Sequence, residues 1–172
     1  MIRGGGGGAN TQTGLRFEER INLGTAISQL PDYEIKGDEV FYKSRKVAHL
    51  FSKHKLYKNL LELKGINHTT YLSKKLLPDE AILIENTLFI VEMKFQYVAG
   101  SVDEKLQTCH FKKRQYTKLF SETDINVEYI YVLNDWFGKP EYKDVLEYIA
   151  EVGCHYYFNE IPLSILGLNY EL

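Results

Sequence analysis

Apolar residues recur along this chain with two spacings, one typical of helices and one typical of strands. A first helix is predicted over residues 13–30, because apolar positions return there at helical spacing until Pro31. Residues 33–42 predict a β-hairpin whose turn contains Gly37. Residues 49–63 have the amphipathic pattern of a second helix. The first third of the chain is therefore predicted to contain two helices around one hairpin.

A second hairpin is predicted in the middle of the chain. Residues 80–91 form an apolar run, a turn containing Asn86 and another apolar run, which is the pattern of two paired strands. The longest predicted helix follows over residues 101–120. Ser101 and Glu104 have the spacing of a capping box, in which two side chains satisfy free N–H groups at a helix start. We therefore expect this helix to begin at Ser101.

The last part of the chain alternates strands with a helix. Residues 127–133 and 155–158 predict strands, and residues 141–152 between them predict a helix. The two β–α–β connections in this half imply parallel pairing, because a helix that crosses the sheet returns the chain in the same direction. The predicted fold class is therefore α/β, with a mixed central sheet of an antiparallel hairpin and parallel strands, flanked by helices on both faces.

The length of the chain suits one domain with a short arm. At 172 residues, 20.0 kDa and 44% hydrophobic residues it can bury a sizeable core. Residues 1–12 contain an unbroken glycine run, which is entropically costly to order, so we expect a flexible arm there and a single domain over residues 13–172. Asn10 in this arm is a candidate DNA contact, and disorder without a role is the alternative.

Composition and cysteine content indicate a cytoplasmic protein with no membrane partner. No apolar run approaches the about 18 residues that a membrane span needs, and the N-terminus lacks the layout of a signal peptide. Cys109 and Cys154 have no Cys or His neighbour at zinc-ligand spacing, so both are predicted to be small core residues.

Candidate chemistry lies at the two ends of the second hairpin. The hairpin brings Asp79 beside Glu92, and strand alternation projects Glu92 and Lys94 to one face. Two carboxylates suit Mg²⁺, which takes oxygen ligands and activates water for phosphodiester hydrolysis. Lys94 would stabilise developing charge or help to orient and deprotonate the water. A strand with an exposed Glu and Lys on one face is the alternative interpretation. Glu80 is left out, because alternation points it away from the metal.

The pattern Asp79, hairpin, Glu92-x-Lys94 resembles the PD-(D/E)-x-K nuclease superfamily, and it looks closest to small type II restriction endonucleases. The flanking order is similar too, with an acidic helix carrying Glu18 before the motif and a helix from Ser101 after it. The resemblance implies a restriction-endonuclease-like fold. It also implies a site in which Asp79, Glu92 and Glu18 hold Mg²⁺, for which Mn²⁺ can substitute, and in which Lys94 assists the water.

Charge bears on nucleic-acid binding only through local clusters. The net charge of −2 and the pI of 6.2 do not favour nonspecific coating of DNA, whereas a nuclease depends on the field near its site. For each cluster of basic residues, the alternative interpretation is a helix face exposed to solvent. Besides Asn10, the predicted DNA-contacting residues are Lys105, Gln96, Lys112, Lys113 and Arg114.

Three functions follow from these expectations. The leading one is a Mg²⁺-dependent deoxyribonuclease of the restriction type acting on double-stranded DNA. It would be a homodimer, because cutting both strands of a palindrome calls for two sites related by a two-fold axis, although a subunit of a heteromeric cutter would look similar. A structure-specific repair or recombination nuclease of the junction-resolvase type is the second. A non-catalytic DNA-binding protein with the nuclease fold is the third, and the intact Asp79, Glu92 and Lys94 argue against it.

Overall fold

A computed structural model describes residues 14–18 and 21–168 of the chain. The predicted arm over residues 1–12, including Asn10, lies outside the described residues. The strands are β1 (Gly14–Arg16), β2 (Tyr33–Lys36), β3 (Glu39–Tyr42), β4 (Arg45–Phe51), β5 (Glu80–Ile84), β6 (Thr87–Lys94), β7 (Asn126–Leu133), β8 (His155–Phe158) and β9 (Glu160–Pro162). The helices are α1 (Leu23–Ser28), α2 (His54–Leu56), α3 (Val102–Leu106), α4 (Cys109–Leu119), α5 (Lys143–Glu151) and α6 (Leu163–Leu166).

Short helical turns complete these elements. Helix α2 continues through a π-helical turn, Tyr57–Leu61, and a 3-10 turn, Glu62–Lys64. Further 3-10 turns lie at His68–Thr70, Asp135–Gly138 and Pro140–Tyr142.

A seven-stranded mixed sheet forms the centre of the fold, with the strand order β2-β3-β4-β5-β6-β7-β8. The strands from β2 to β6 pair antiparallel, while β6 pairs parallel with β7 and β7 pairs parallel with β8. The prediction of an α/β fold with a hairpin beside parallel strands is confirmed. Strands β6 and β7 are apolar almost throughout, because both of their faces are covered.

Helices cover both faces of the sheet, as the sequence predicts. On one face, Leu88 and Ile90 of β6 pack in a core with α2, α4 and α5. On the other face, Phe89 and Val91 pack in a core with α1 and α6. The alternation of side chains along β6 therefore divides the interior into two cores.

The prediction of a helix over residues 13–30 is wrong for most of that range. Residues 14–16 form β1, which pairs antiparallel with β9. The helix begins only at Leu23, where the Asn22 side chain accepts a hydrogen bond of 2.7 Å from the N–H of Thr25. Leu15 is buried and Arg16 is exposed, so these positions follow the alternation of a strand and not the period of a helix.

Two further predicted boundaries differ in the structure. The helix predicted over residues 49–63 starts at His54, because β4 extends to Phe51. The helix predicted over residues 101–120 is two helices, α3 and α4, separated at residues 107–108. The Ser101 side chain makes no capping hydrogen bond, so the predicted capping box is absent.

The cysteines are core residues, and the described helices are short or polar. Cys109 and Cys154 are free and buried in the core beneath α4, as expected of small core residues. Within the described ranges, no helix has both the length and the apolar character that crossing a membrane requires.

Replacing Leu88 with Ala tests whether the core beneath α4 stabilises the fold. Leu88 is fully buried in β6, so its loss leaves a cavity and we expect the free energy of unfolding to fall by about 2–5 kcal/mol. The matched control is Leu63→Ala in the 3-10 turn, because Leu63 is 81% exposed and its loss should change stability by less than about 0.5 kcal/mol. Urea unfolding followed by circular dichroism measures both values, and equal effects would contradict this assignment of the core.

Candidate functional site

The hairpin of β5 and β6 brings the predicted acidic residues together. Glu80 pairs with Val91, so Asp79, which precedes β5, comes beside Glu92. Lys94 lies two residues beyond Glu92 and ends β6. Its Nζ is 3.5 Å from Asp79 Oδ2 and 3.2 Å from Glu92 Oε2. The three side chains therefore share one site at the carboxyl end of β6.

The two carboxylates differ strongly in their access to water. Glu92 is only 4% exposed and lies on the face of the sheet that α4 covers. The Asp79 side chain is 51% exposed, because it precedes the strand. Glu92 therefore forms the floor of the site, and Asp79 forms part of its rim.

A second lysine enters the site from α4. Lys112 Nζ donates hydrogen bonds of 2.8 Å to Glu92 Oε1 and 2.9 Å to Glu92 Oε2. The sequence predicted Lys112 as a DNA contact and did not associate it with Glu92. The sequence does contain a pattern that indicates this contact. The buried face of α4 contains Cys109, Tyr116 and Leu119, and Lys112 has helical spacing to all three. A lysine on such a face needs a buried partner.

Charge compensation keeps Glu92 ionised. Burial by itself raises the pKa of Glu92, but the ammonium groups of Lys94 and Lys112 outweigh burial and hold this pKa below its ordinary value. The hydroxyl of Tyr129 beside the carboxylate acts in the same direction. Glu92 is therefore an anion at neutral pH, in the form that binds a cation.

Two buried tyrosines surround this carboxylate. Burial, and next the charge of Glu92, raise the pKa of Tyr129 and of Tyr116 above the ordinary tyrosine value, so both hydroxyls stay protonated. The Tyr116 hydroxyl is buried without a hydrogen-bond partner among the described residues, whereas the Tyr129 hydroxyl lies beside the Glu92 carboxylate. Both hydroxyls therefore lie in the apolar core around Glu92.

Glu80 lies on the opposite face of the sheet from Glu92. Its pair partner Val91 belongs to the core with α1, and Glu80 lines a depression together with Asn22 and Thr25. Burial, and next the charge of Asp79, raise the pKa of Glu80 to about 7. This position agrees with the prediction that Glu80 points away from the metal site.

The structure does not bring Glu18 to Asp79 and Glu92. Glu18 follows β1 instead of standing on a helix, and it lines a depression with Phe95 and Tyr97. Among residues 14–18 and 21–168, no group of three or more His, Cys, Asp or Glu side chains is arranged to hold a metal. Glu18 stands just beyond the end of β1, which pairs with β9 and packs in the core with α1.

Gln96 lies beyond the end of β6, where the sequence placed a DNA contact. Its backbone N–H donates a 3.1 Å hydrogen bond to Asn134 Oδ1, and Asn134 Nδ2 donates a 2.8 Å hydrogen bond to the Gln96 carbonyl. Both polar atoms of the Gln96 side chain are buried without a partner in the described residues. The structure thus holds the backbone of Gln96 in place and keeps its amide away from the surface.

The remaining predicted DNA contacts differ in their exposure and in their bonds to other residues. Lys113 Nζ lies 3.1 Å from Glu128 Oε2 and donates a 2.6 Å hydrogen bond to the Gly153 carbonyl, so it serves the packing of α4. Lys105 and Arg114 are exposed.

The donor set fits a hard divalent cation. Asp79 and Glu92 each contact the same ammonium group, so their oxygens converge on one point. Mg²⁺ commonly takes one or two protein carboxylates and fills its other positions with water and phosphate oxygens. The exposure of Asp79 leaves its side of the site open to such ligands.

The pKa of Glu80 predicts a pH-dependent stability. Its folded-state pKa of about 7 lies above the ordinary value of 4.5, so the folded chain holds the proton that the unfolded chain loses first. The free energy of unfolding should therefore fall as the pH rises from about 4.5 to 7. Glu80→Gln should remove this dependence and become more stable relative to the wild type across that interval. Urea unfolding in EDTA at pH 4 to 8 measures it, and a constant difference would contradict the assignment.

Comparison with known proteins returned no relative. No protein-family model, no curated protein and no solved structure matches the chain. Function is therefore inferred from the geometry of the site formed by Asp79, Glu92, Lys94 and Lys112.

Proposed function

We propose that this chain is a Mg²⁺-dependent DNA endonuclease that hydrolyses phosphodiester bonds. The observation that supports it is the contact of Lys94 Nζ with both Asp79 and Glu92 at the end of one hairpin. Two acids and a lysine in this order match the PD-(D/E)-x-K pattern. The mixed sheet, with the site where β5 begins and β6 ends, is compatible with a restriction-endonuclease-like fold.

Asp79 and Glu92 would hold the cation. When bound, the cation supplies polarisation of the phosphoryl oxygen and a lower pKa for the attacking water. Glu92 is fixed by burial in a central strand, so it presents its oxygens in a constant position. Asp79 stands at the rim, where a DNA phosphate can approach it. Mn²⁺ takes similar oxygen ligands and would substitute.

Lys94 would act on the reacting phosphate. Its ammonium is held between two carboxylates, so the side chain is oriented before the substrate arrives. A positive charge preorganised beside the phosphate stabilises the additional negative charge of the transition state. The same position lets the ammonium orient the attacking water.

Double-stranded DNA is the proposed substrate. The chain carries a net charge of −2, so binding would depend on basic residues near the site instead of on the total charge. Lys74 and Lys75 are exposed in the connection that leads to Asp79, and Lys105 is exposed at the start of the helical region that follows β6. Cleavage of both strands calls for two such sites, so we propose a homodimer or a heteromeric assembly.

Asp79→Asn tests the proposed activity. The change keeps the size of the side chain and removes one anionic ligand, so cleavage should fall by at least about 100-fold while DNA binding remains. The matched control is Glu80→Gln, which removes the adjacent carboxylate on the other face of the sheet and should leave cleavage intact. The measurement is digestion of a mapped plasmid in Mg²⁺ and in EDTA, with the ends of the products sequenced.

The products separate the possible functions. Discrete fragments that require Mg²⁺ support a sequence-specific endonuclease, whereas cleavage only of branched DNA would indicate a structure-specific nuclease. Full cleavage by the Asp79→Asn protein would overturn the proposed site.

A further inference from the structure

Lys112 occupies the atoms that the proposed cation would need. Its Nζ lies 2.8 Å from Oε1 and 2.9 Å from Oε2 of Glu92, so one ammonium group covers both oxygens of the buried ligand. Lys94 contacts Oε2 as well. A divalent cation that coordinates Glu92 at the position of the Lys112 ammonium must therefore displace that ammonium.

Charge repulsion at Glu92 opposes the simultaneous presence of the divalent cation and the Lys112 ammonium. A buried carboxylate without a compensating cation is costly, and Lys112 supplies this compensation together with Lys94. A divalent cation at the same oxygens would supply two positive charges in place of one. An ammonium group kept in contact beside it would be repelled, because like charges interact strongly where little water screens them.

Lys112 has the freedom to leave this position. Its side chain is 23% exposed, and a lysine places its strongly hydrated ammonium group at the end of a flexible four-carbon stem. Helix α4 is held to the sheet by the buried Cys109, Tyr116 and Leu119, so releasing the ammonium does not require the helix to move.

The geometry points to Lys112 as a positioning residue that competes with the divalent cation for Glu92 Oε1 and Oε2 and thereby sets the cation affinity of the site. This inference rests on the proposed function, because it takes Glu92 as a cation ligand. The ammonium keeps the carboxylate ionised and in place, and a cation binds by displacing it.

Lys113 provides a matched control on the same helix. Its side chain is 21% exposed, close to the value for Lys112, and it also binds a carboxylate. Its partners are Glu128 and the carbonyl of Gly153, which lie outside the proposed site. Lys113→Met therefore removes the same charge and one ion pair from α4 without freeing Glu92.

Mg²⁺ binding to DNA-free protein tests the competition. Isothermal titration calorimetry should show that Lys112→Met binds Mg²⁺ about tenfold or more tightly than the wild type, because the cation no longer displaces a charge-assisted hydrogen bond. Lys113→Met should bind Mg²⁺ as the wild type does. In EDTA, Lys112→Met should also unfold at a lower temperature than the wild type, and saturating Mg²⁺ should reduce this gap.

The outcomes distinguish competition from a purely structural role. If Lys112 only supports the fold, Lys112→Met loses stability in EDTA and in Mg²⁺ alike and its Mg²⁺ affinity is unchanged, which overturns the inference. Lys112→Arg gives a second test should the Met variant fail to fold. The guanidinium fork binds both oxygens of a carboxylate, so this variant should bind Mg²⁺ more weakly than the wild type.

The proposed function and this inference can fail separately. Wild-type protein that cleaves DNA only with Mg²⁺, together with Lys112→Met that binds Mg²⁺ no more tightly, would leave the proposed function standing and remove the competition. Wild-type protein that binds no Mg²⁺ and cleaves no DNA would remove both.

Discussion

The buried carboxylate of Glu92 is the constraint on which the site depends. It projects from β6, which is paired on both sides, so the side chain cannot turn to water without breaking the sheet. A carboxylate in such a place is stable only with cationic partners. Lys94 comes from the same strand and Lys112 from α4, so the packing of the helix on the sheet supplies one of the two cations that keep Glu92 ionised.

The sheet also separates two acidic environments that are neighbours in sequence. Asp79 and Glu92 lie on the side of the sheet that α4 covers and have lysine partners, whereas Glu80 lies on the side of α1. The pKa of Glu92 is lowered by its two lysines, and burial raises the pKa of Glu80 to about 7. Strand alternation is the cause, because it sends side chains one residue apart to opposite faces of the sheet.

Both proposals have the same physical basis, which is the compensation of charge at Glu92. As an endonuclease, the chain would use this carboxylate as a fixed ligand at the floor of the site and Asp79 as a ligand open to substrate. The contact of Lys112 with both oxygens of Glu92 adds a cost to cation binding, since the ammonium must be displaced. The affinity for the cation would then depend on how much better the cation compensates the charge of Glu92 than Lys112 does. It would not depend on the two carboxylates alone.

Local patterns along the sequence determined the two hairpins, the parallel strands and the grouping of Asp79, Glu92 and Lys94. The pleat and the short turn act over a few residues, so such features can be derived from spacing alone. Tertiary structure determined the strand conformation of the residues before Glu18 and the contact of Lys112 with Glu92. A strand that pairs with a distant segment and a helix that packs on a sheet depend on contacts between residues far apart in the chain, and no local period encodes those contacts.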